Sequence, residues 1–432
     1  MGQNPTPNHN RYFILRWDFS MMDGHGSVED IKRALHNQIN ASIRGMGIRY
    51  PDIFSSVFIN QEDSMESFHH LVELAQSTPH KLYLLIDEYD NFANEVMVAD
   101  HSNYETLVMG EGFLKTVFKN IKGLSAGMGI DRVFIAGVSP IVMSDVSSGY
   151  NVASNITLMP KFADLCGLHE TEVIDVLKQI AQKCQLSEEQ QAEALAMMRR
   201  FYNGYRFDDN EDKIYNPTLA LYFLRYLQEY CKYPKQMLDS NLAMDSNRIG
   251  YVASLPHGYE IIARILDPDN PPKIDWPSDK FGVKDMLFGA KDQPFMASLL
   301  FYLGVLTFGE RDFMGRLTLQ IPNLVIRRLY LERLQEMLLP KYEDRESIRH
   351  IAEHFYHSGD IEPLCDFVET RFFQVFDNRD YRWANELVIK TAFLTILFND
   401  IFYVMDSEQE LNKGYADLSL IVRPDIPKLS HS

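Results

Sequence analysis

An open α/β sheet is predicted for the first part of the chain and mainly helical structure for much of the remainder. Two observations predict this. Extended apolar runs alternate three times with helix-period segments before about residue 140, and after about residue 165 the buried strand-like runs give way to helical periodicity. The first run opens at Tyr12-Phe13-Ile14-Leu15 and ends at Trp17-Asp18-Phe19-Ser20, which suits a strand covered on both faces of a parallel sheet. Ser27, three residues before Asp30, resembles a capping box, and Ile31, Leu35, Ile39 and Ile43 then recur every four residues. A second helix is predicted around Phe68, Leu71, Val72 and Ala75, ahead of the apolar run Leu82–Ile86. A third, around Phe113, Val117, Phe118 and Ile121, precedes Arg132-Val133-Phe134-Ile135-Ala136.

The helical stretch begins with Val173, Ile174, Leu177 and Ile180 and continues from about Ala192 to Phe201. Asn203-Gly204 breaks it, and Asn216-Pro217 supplies an N-cap and a first-turn proline for a helix from Leu219 to Tyr230. A helical lid fits here. The polar, proline-rich segment Asp267-Pro268-Asp269-Asn270-Pro271-Pro272 reads as a stiff connector near a domain boundary. From Phe295 to Leu338 the pattern is helix, short extended pair, helix, with Leu317–Ile321 as a strand, in the manner of a winged-helix-like module. Helical segments come next at 346–357 and 361–373, then an apolar helix from Trp383 to Phe398 and two strand-like runs, Ile401–Met405 and Tyr415–Val422. The division is therefore 1–165, 166–240 (lid), 241–342 (linker and winged-helix-like module) and 343–432.

With 432 residues, 46% of them apolar, the chain is long enough for two or three cores. No stretch reaches the ~20 apolar residues of a membrane span. The start, Gly2-Gln3-Asn4-Pro5, is unlike a signal peptide, so the expectation is a cytoplasmic protein without membrane association. Cys166, Cys184, Cys231 and Cys365 form no C-x-x-C pair and are expected as buried thiols. A formal charge of −18 argues against a general nucleic-acid-coating surface, but it leaves room for a local basic groove and for acidic metal sites.

The run Leu82-Tyr83-Leu84-Leu85-Ile86-Asp87-Glu88-Tyr89-Asp90 places two acids at the end of an apolar strand, the edge at which ligands bind in open α/β sheets. In P-loop ATPases an Asp so placed helps hold magnesium beside the nucleotide phosphates, and a following Glu orients the attacking water. Asp87 and Glu88 fit those roles, and the alternative is a chance pair of strand-end acids. Further blocks come in order: Ala136-Gly137-Val138-Ser139-Pro140, Cys166-Gly167-Leu168, Tyr202-Asn203-Gly204-Tyr205-Arg206-Phe207 and Tyr215-Asn216-Pro217.

Together these blocks resemble the AAA-ATPase-like family known mainly from bacteria, in which an ATPase core precedes a nuclease-like domain of the PD-(D/E)XK superfamily. The resemblance covers most of the chain. It implies a P-loop-type parallel sheet core and the cofactors Mg²⁺ and ATP. It places Ser139 where a polar residue senses the γ-phosphate, and Arg206 where a lid arginine reaches the nucleotide. The alternatives are a turn serine beside Pro140 and an arginine packed in its own turn.

A Walker A loop, G-x-x-x-x-G-K-S/T, should precede the Asp-bearing strand, and the chain has no Gly-Lys dipeptide. Gly123, Gly127 and Gly129 come after Asp87 and read as a loop. The expectation is a core that lacks its first strand and phosphate loop through truncation, with little or no ATP hydrolysis. At the other end, PD-(D/E)XK nucleases place a Glu on a helix, an Asp on a strand and E-x-K on the next strand, the carboxylates holding Mg²⁺. Glu386, Glu410 and Asp417 are the candidate carboxylates, Asp417 as a metal ligand. Their alternatives are a solvated helix-start acid, a loop acid and a strand-edge acid. The E-x-K strand does not appear after them, and Glu211-Asp212-Lys213 lies in a polar loop.

Two functions result as expectations. The first is an AAA-ATPase-like protein related to ATP-dependent nucleic-acid-processing proteins, without ATPase or nuclease activity in this chain, the complete protein acting on nucleic acid. The second is a non-catalytic interaction or regulatory module that binds protein partners or further copies of itself. An α/β hydrolase is excluded by the absence of a G-x-S-x-G elbow with a partnered His.

Overall fold

The computed structural model describes residues 5–20, 27–90, 113–137, 153–208, 212–238, 249–250, 253, 258–266, 271–278, 281, 292–339, 341–372, 386–397, 403–406, 409–411, 414–416 and 418–423. The chain forms two compact units, residues 1–154 with 278–290 and residues 155–277 with 291–432. Among the described residues no helix is long and apolar enough to cross a membrane.

Unit 1 runs β1 (Tyr12–Asp18), α1 (Val28–Arg49), α2 (Pro51–Phe54), α3 (Ser64–Gln76), β2 (Lys81–Asp87), α4 (Phe113–Ser125) and β3 (Ile130–Ile135). The strands are parallel in the order β1-β2-β3, with Asp18 opposite Asp87 and Ile86 opposite Ile135. Parallel neighbours require crossover connections, and helices supply them here. The capping box at α1 is present: Asp30 N–H donates to Ser27 Oγ and Ser27 N–H to Asp30 Oδ2, both at 3.2 Å. α1 packs on α3, and α3 on α4. Their apolar stripes meet the sheet, where Trp17 lies against Phe68 and Phe13 against Phe54, with ring centroids 4.9 and 5.0 Å apart. Burying a side chain of this size stabilises by about 1.5–3 kcal/mol.

The strands alternate in burial. Phe13, Leu15 and Trp17 are buried while Arg16 is exposed, and Leu82, Leu84 and Ile86 are buried while Tyr83 and Leu85 are half-buried. The expectation of a strand covered on both faces is thus corrected for the described residues, because α1, α3 and α4 pack as one layer.

Unit 2 begins with α5 (Glu170–Cys184), α6 (Glu188–Tyr202) and α7 (Pro217–Tyr230), packed around Val173, Leu177, Met198, Phe201, Phe223 and Leu227. Asn216 caps α7 as its sequence position predicts, accepting from Leu219 N–H at 3.2 Å. The cysteines differ from expectation. Cys184 and Cys231 form a disulfide with Cα atoms 5.4 Å apart, and Cys166 and Cys365 are exposed rather than buried. α5 and α7 pack together and end side by side, which brings together two cysteines 47 positions apart.

Next come α8 (Gly258–Ile265), β4 (Lys273–Ile274), α9 (Gln293–Tyr302), β5 (Thr307–Arg311), β6 (Leu317–Gln320) and α10 (Leu324–Leu338). The three strands form an antiparallel sheet in the order β4-β6-β5. α9 carries no charged residue and is buried continuously from Phe295 to Phe301. The rest of the unit comprises α11 (Tyr342–Ser358), α12 (Glu362–Phe367), α13 (Glu386–Leu397), β7 (Tyr403–Asp406), β8 (Gln409–Leu411), β9 (Gly414–Ala416) and β10 (Ser419–Val422). β7 pairs with β10 and β8 with β9, so the run read as one strand from Tyr415 to Val422 is divided between two pairings. Arg423, fully buried after β10, donates to the carbonyls of Pro234 at 2.9 Å and Lys235 at 3.0 Å, tying this end of the chain to the helical part.

Candidate functional site

Asp87 is the last residue of β2, and the parallel register sets Asp18, the last residue of β1, directly beside it. Two residues earlier on β1, Arg16 spans the pair: one guanidinium nitrogen lies 2.9 Å from Asp18 Oδ2 and 2.8 Å from Asp87 Oδ2. Asp18 Oδ1 also accepts from the Ser20 hydroxyl at 2.6 Å and the Ser20 N–H at 3.1 Å. Those hydrogen bonds from Ser20, with Arg16 adding to them, hold the Asp18 carboxyl below the ordinary Asp value. Asp87 remains 42% exposed at the side chain, so the pair of acids faces solvent at the carboxyl edge of the sheet.

Glu88 comes next with φ +54°, a left-handed conformation that costs a non-glycine residue about 1–2 kcal/mol and turns the chain sharply off the strand. Tyr89 and Asp90 then fold inward and are buried. Tyr89 N–H donates to the Ala136 carbonyl at 3.4 Å, and Ala136 N–H to the Ile86 carbonyl at 2.8 Å, so the segment after β3 seats against the end of β2. Gly137 makes that approach possible, because a Cβ there would lie 2.3 Å from Asp90 Oδ1 and 2.4 Å from the Tyr89 ring. Two separate sequence blocks are thus one piece of structure. Ser139, the predicted γ-phosphate sensor of the second block, lies outside the described residues.

The blocks in unit 2 also assemble together. Leu168 bridges Tyr215, and Tyr205 bridges Ile214. Glu170 takes the Arg199 guanidinium and also accepts from the Tyr215 hydroxyl at 3.2 Å. The Arg199 hydrogen bond holds Glu170 below the usual carboxylate value, while burial first, and then the Glu170 charge, push the Tyr215 phenol up. Gly204, at φ +122°, passes so close to Pro322 that a Cβ would lie 1.9 Å from its carbonyl oxygen. Arg206 lies beside this clasp with its side chain only 6% exposed, 3.0 Å from Glu310 Oε1 on β5. Its N–H donates to Thr307 Oγ1 at 2.7 Å, and that hydroxyl donates back to the Arg206 carbonyl at 3.2 Å. Arg206 is therefore built into unit 2.

Glu386 opens α13 and Glu410 sits in β8 opposite Tyr415, while their side chains and all of Asp417 lie outside the described structure. Among the described residues no group of three His, Cys, Asp or Glu side chains is placed to hold a metal ion. A separate cleft of about 750 Å³ opens on the helical layer of unit 1, lined by residues that include Lys32, His36, Asp63, Glu66, His69 and Phe113.

The sequence singles out Asp87 but not Arg16, Asp18 or Glu310, which the structure places in contact with the predicted site residues Asp87 and Arg206. A signal existed for Asp18, since the first and second apolar runs both end in Asp.

The strand-end acids of unit 1 lie within a segment that has a known family likeness. Residues 1–147 match the AAA-ATPase-like family model, described as "Predicted AAA-ATPase". That match supports the AAA-ATPase-like family for the segment that carries the parallel sheet, and it ends seven residues before the close of that unit's first segment at Ser154. No curated protein and no solved structure matches the chain.

Proposed function

We propose that the chain is an AAA-ATPase-like domain protein related to ATP-dependent nucleic-acid-processing proteins, and that this polypeptide by itself has neither ATPase nor nuclease activity. The observation that carries the proposal is the pair Asp18 and Asp87 at the carboxyl edge of a parallel sheet, spanned by Arg16. The site has the position of a magnesium-holding strand end, with Asp87 and Glu88 as its Walker B acids, but not the open donor set.

Mg²⁺ and ATP are the groups that the family implies. Magnesium is commonly held by one or two carboxylates together with substrate phosphates, so the oxygen donors are of the right kind. As placed, however, they do not fit. Arg16 holds both acids, no third donor joins them among the described residues, and the 432 residues contain no Gly-Lys to hold the β- and γ-phosphates. No chemical step through the nucleotide is derived from this arrangement.

In unit 2 the strand order β4-β6-β5, with α8 ahead of β4 and α9 ahead of the β5–β6 hairpin, supports a winged-helix-like module over 241–342. The segment 343–432 is assigned as the partial nuclease-like part, with Glu386, Glu410 and Asp417 as its carboxylates. A non-catalytic module that binds protein partners is the second reading. The burial of Arg206 against Glu310 favours it, because a lid arginine engaged inside its own unit serves structure.

The test is Mg²⁺-dependent ATP hydrolysis by the chain and by Asp87→Asn, with DNA cleavage measured in parallel. Both proteins are expected at the buffer background in both assays. Turnover that requires Mg²⁺ and disappears in Asp87→Asn would overturn the proposal.

A further inference from the structure

The antiparallel sheet of unit 2 ends in a turn that presents apolar side chains to water. Phe313 and Met314, between β5 and β6, are 95% and 65% exposed, and Trp276, two residues beyond β4, is 48% exposed. Ile274 stands opposite Leu317, so the chain after β4 runs toward the same end of the sheet as the turn. The Trp276 ring lies against Phe308, three residues before the end of β5, with ring centroids 6.0 Å apart.

The turn is tightly built. Asp312 Oδ1 accepts from the N–H of Met314 at 2.9 Å and of Arg316 at 3.0 Å, and Oδ2 takes the Arg316 guanidinium through two bonds of 3.0 and 2.8 Å. Gly315 turns the chain at φ +79°, and its carbonyl accepts from Arg311 at 2.8 Å. Lys273 stands 3.9 Å from Asp312. Arg316 and Lys273 thereby offset Asp312, and Glu310, paired with the buried Arg206, and Asp275 are the exposed acids beside Arg311 and Trp276, so three cations flank the tip with a small local excess of positive charge.

Exposed aromatic faces among guanidinium and ammonium groups suit unpaired bases, which stack on the rings while the cations meet the phosphates. The net charge of −18 argues against a general polyanion-binding surface and leaves a local site of this kind. α9 offers no alternative, since a helix buried from Phe295 to Phe301 and without charge cannot enter a groove.

We propose that Phe313, Met314 and Trp276, with Arg311, Arg316 and Lys273, form a stacking platform for unpaired nucleic acid. The proposal rests on the reading of the chain as a relative of nucleic-acid-processing proteins.

The test uses the full chain with a fluorescently labelled single-stranded oligonucleotide and its duplex, read by anisotropy and by quenching of tryptophan fluorescence. The expected result is preferential binding of the single strand, with affinity at least about fivefold lower in Phe313→Ala/Met314→Ala. The melting temperature should not change, because both side chains are exposed. A second variant, Trp276→Leu, should lose most of the quenching on binding. Unchanged affinity in the double variant overturns the platform and leaves the family reading standing, as does tighter binding of the duplex. A wild-type chain that binds no oligonucleotide overturns both.

Discussion

Unit 1 holds Arg16, Asp18 and Asp87 at the open end of a sheet, whereas unit 2 folds its motif residues into one another. Arg16 and Arg206 show the contrast within one residue type. Arg16 is 58% exposed and spans two acids that also face water, while Arg206 is 6% exposed, with its backbone as well as its side chain engaged by β5. Exposed ion pairs contribute little to stability, so the edge of unit 1 is held only loosely by the charges of Arg16, Asp18 and Asp87. Arg206 is buried although Glu310 is 88% exposed, so the clasp in unit 2 is fixed more by the packed arginine and its backbone bonds to Thr307 than by the ion pair. Prominence in a motif therefore marks two different things here: an exposed sheet edge in one unit and fold-defining contact in the other.

The largest effect that separates the two should come from glycine substitution. Gly204→Ala combines a left-handed φ of +122° with a Cβ 1.9 Å from a backbone oxygen, and backbone cannot swing aside. A loss of about 3–5 kcal/mol is expected, read from the urea midpoint. Gly137→Ala meets the side chains of Asp90 and Tyr89 instead, which can shift, and a loss of about 1–3 kcal/mol is expected. Equal losses at the two positions would erase the distinction between a fixed joint and an adjustable edge.

Legibility in the sequence depends on the distance over which each feature is determined. The capping box at Ser27 and Asp30 and the cap at Asn216 depend on residues three apart, and both are present. The apolar runs and helix periods of unit 1 likewise gave its strands and helices in order. The contacts that define the sites are of another kind. Arg16 and Asp87 are 71 positions apart and meet only through parallel register. Cys184 and Cys231 are 47 apart and meet because two packed helices end together. Arg206 and Glu310 are 104 apart. No periodicity records such meetings, which is why the cysteines read as separate thiols and why the sequence left Arg206 between a lid arginine reaching the nucleotide and an arginine packed in its own turn.

The two arginines give the second prediction. Arg206→Met keeps much of the buried stem but removes the charged hydrogen bonding to Glu310, and should cost about 1–3 kcal/mol. Arg16→Met removes only exposed ion pairs and should stay within about 0.5 kcal/mol. A loss at Arg16 as large as at Arg206 would show that the strand-end acids need their cation for folding, and the site would then be no more adjustable than the clasp.

The smallest effect is one of pH, and it belongs to unit 1. His36 Nδ1 accepts from the Ser64 N–H at 3.0 Å, satisfying one of the donors that the first turn of α3 leaves unpaired, beside Asp63, which accepts from Met65 N–H at 2.9 Å. A proton on Nδ1 would turn that acceptor into a donor. Burial holds the His36 pKa below its ordinary 6.5, with Asp63 opposing the shift and Lys32 adding to it. The folded state therefore binds the proton less readily than the unfolded chain. Stability is complete above the ordinary value and declines as pH falls from about 6.5 through the lowered folded value. In His36→Asn the amide oxygen can take the same backbone N–H and does not titrate, so the urea midpoint should fall less between pH 7.5 and 5.5 than in the wild type. The Arg199–Glu170 salt bridge of unit 2 joins an arginine held above its ordinary value to a carboxylate held below its own, so it does not titrate in that window. A slope that survives His36→Asn unchanged would remove His36 as its source and place the proton-sensitive contact elsewhere in the fold.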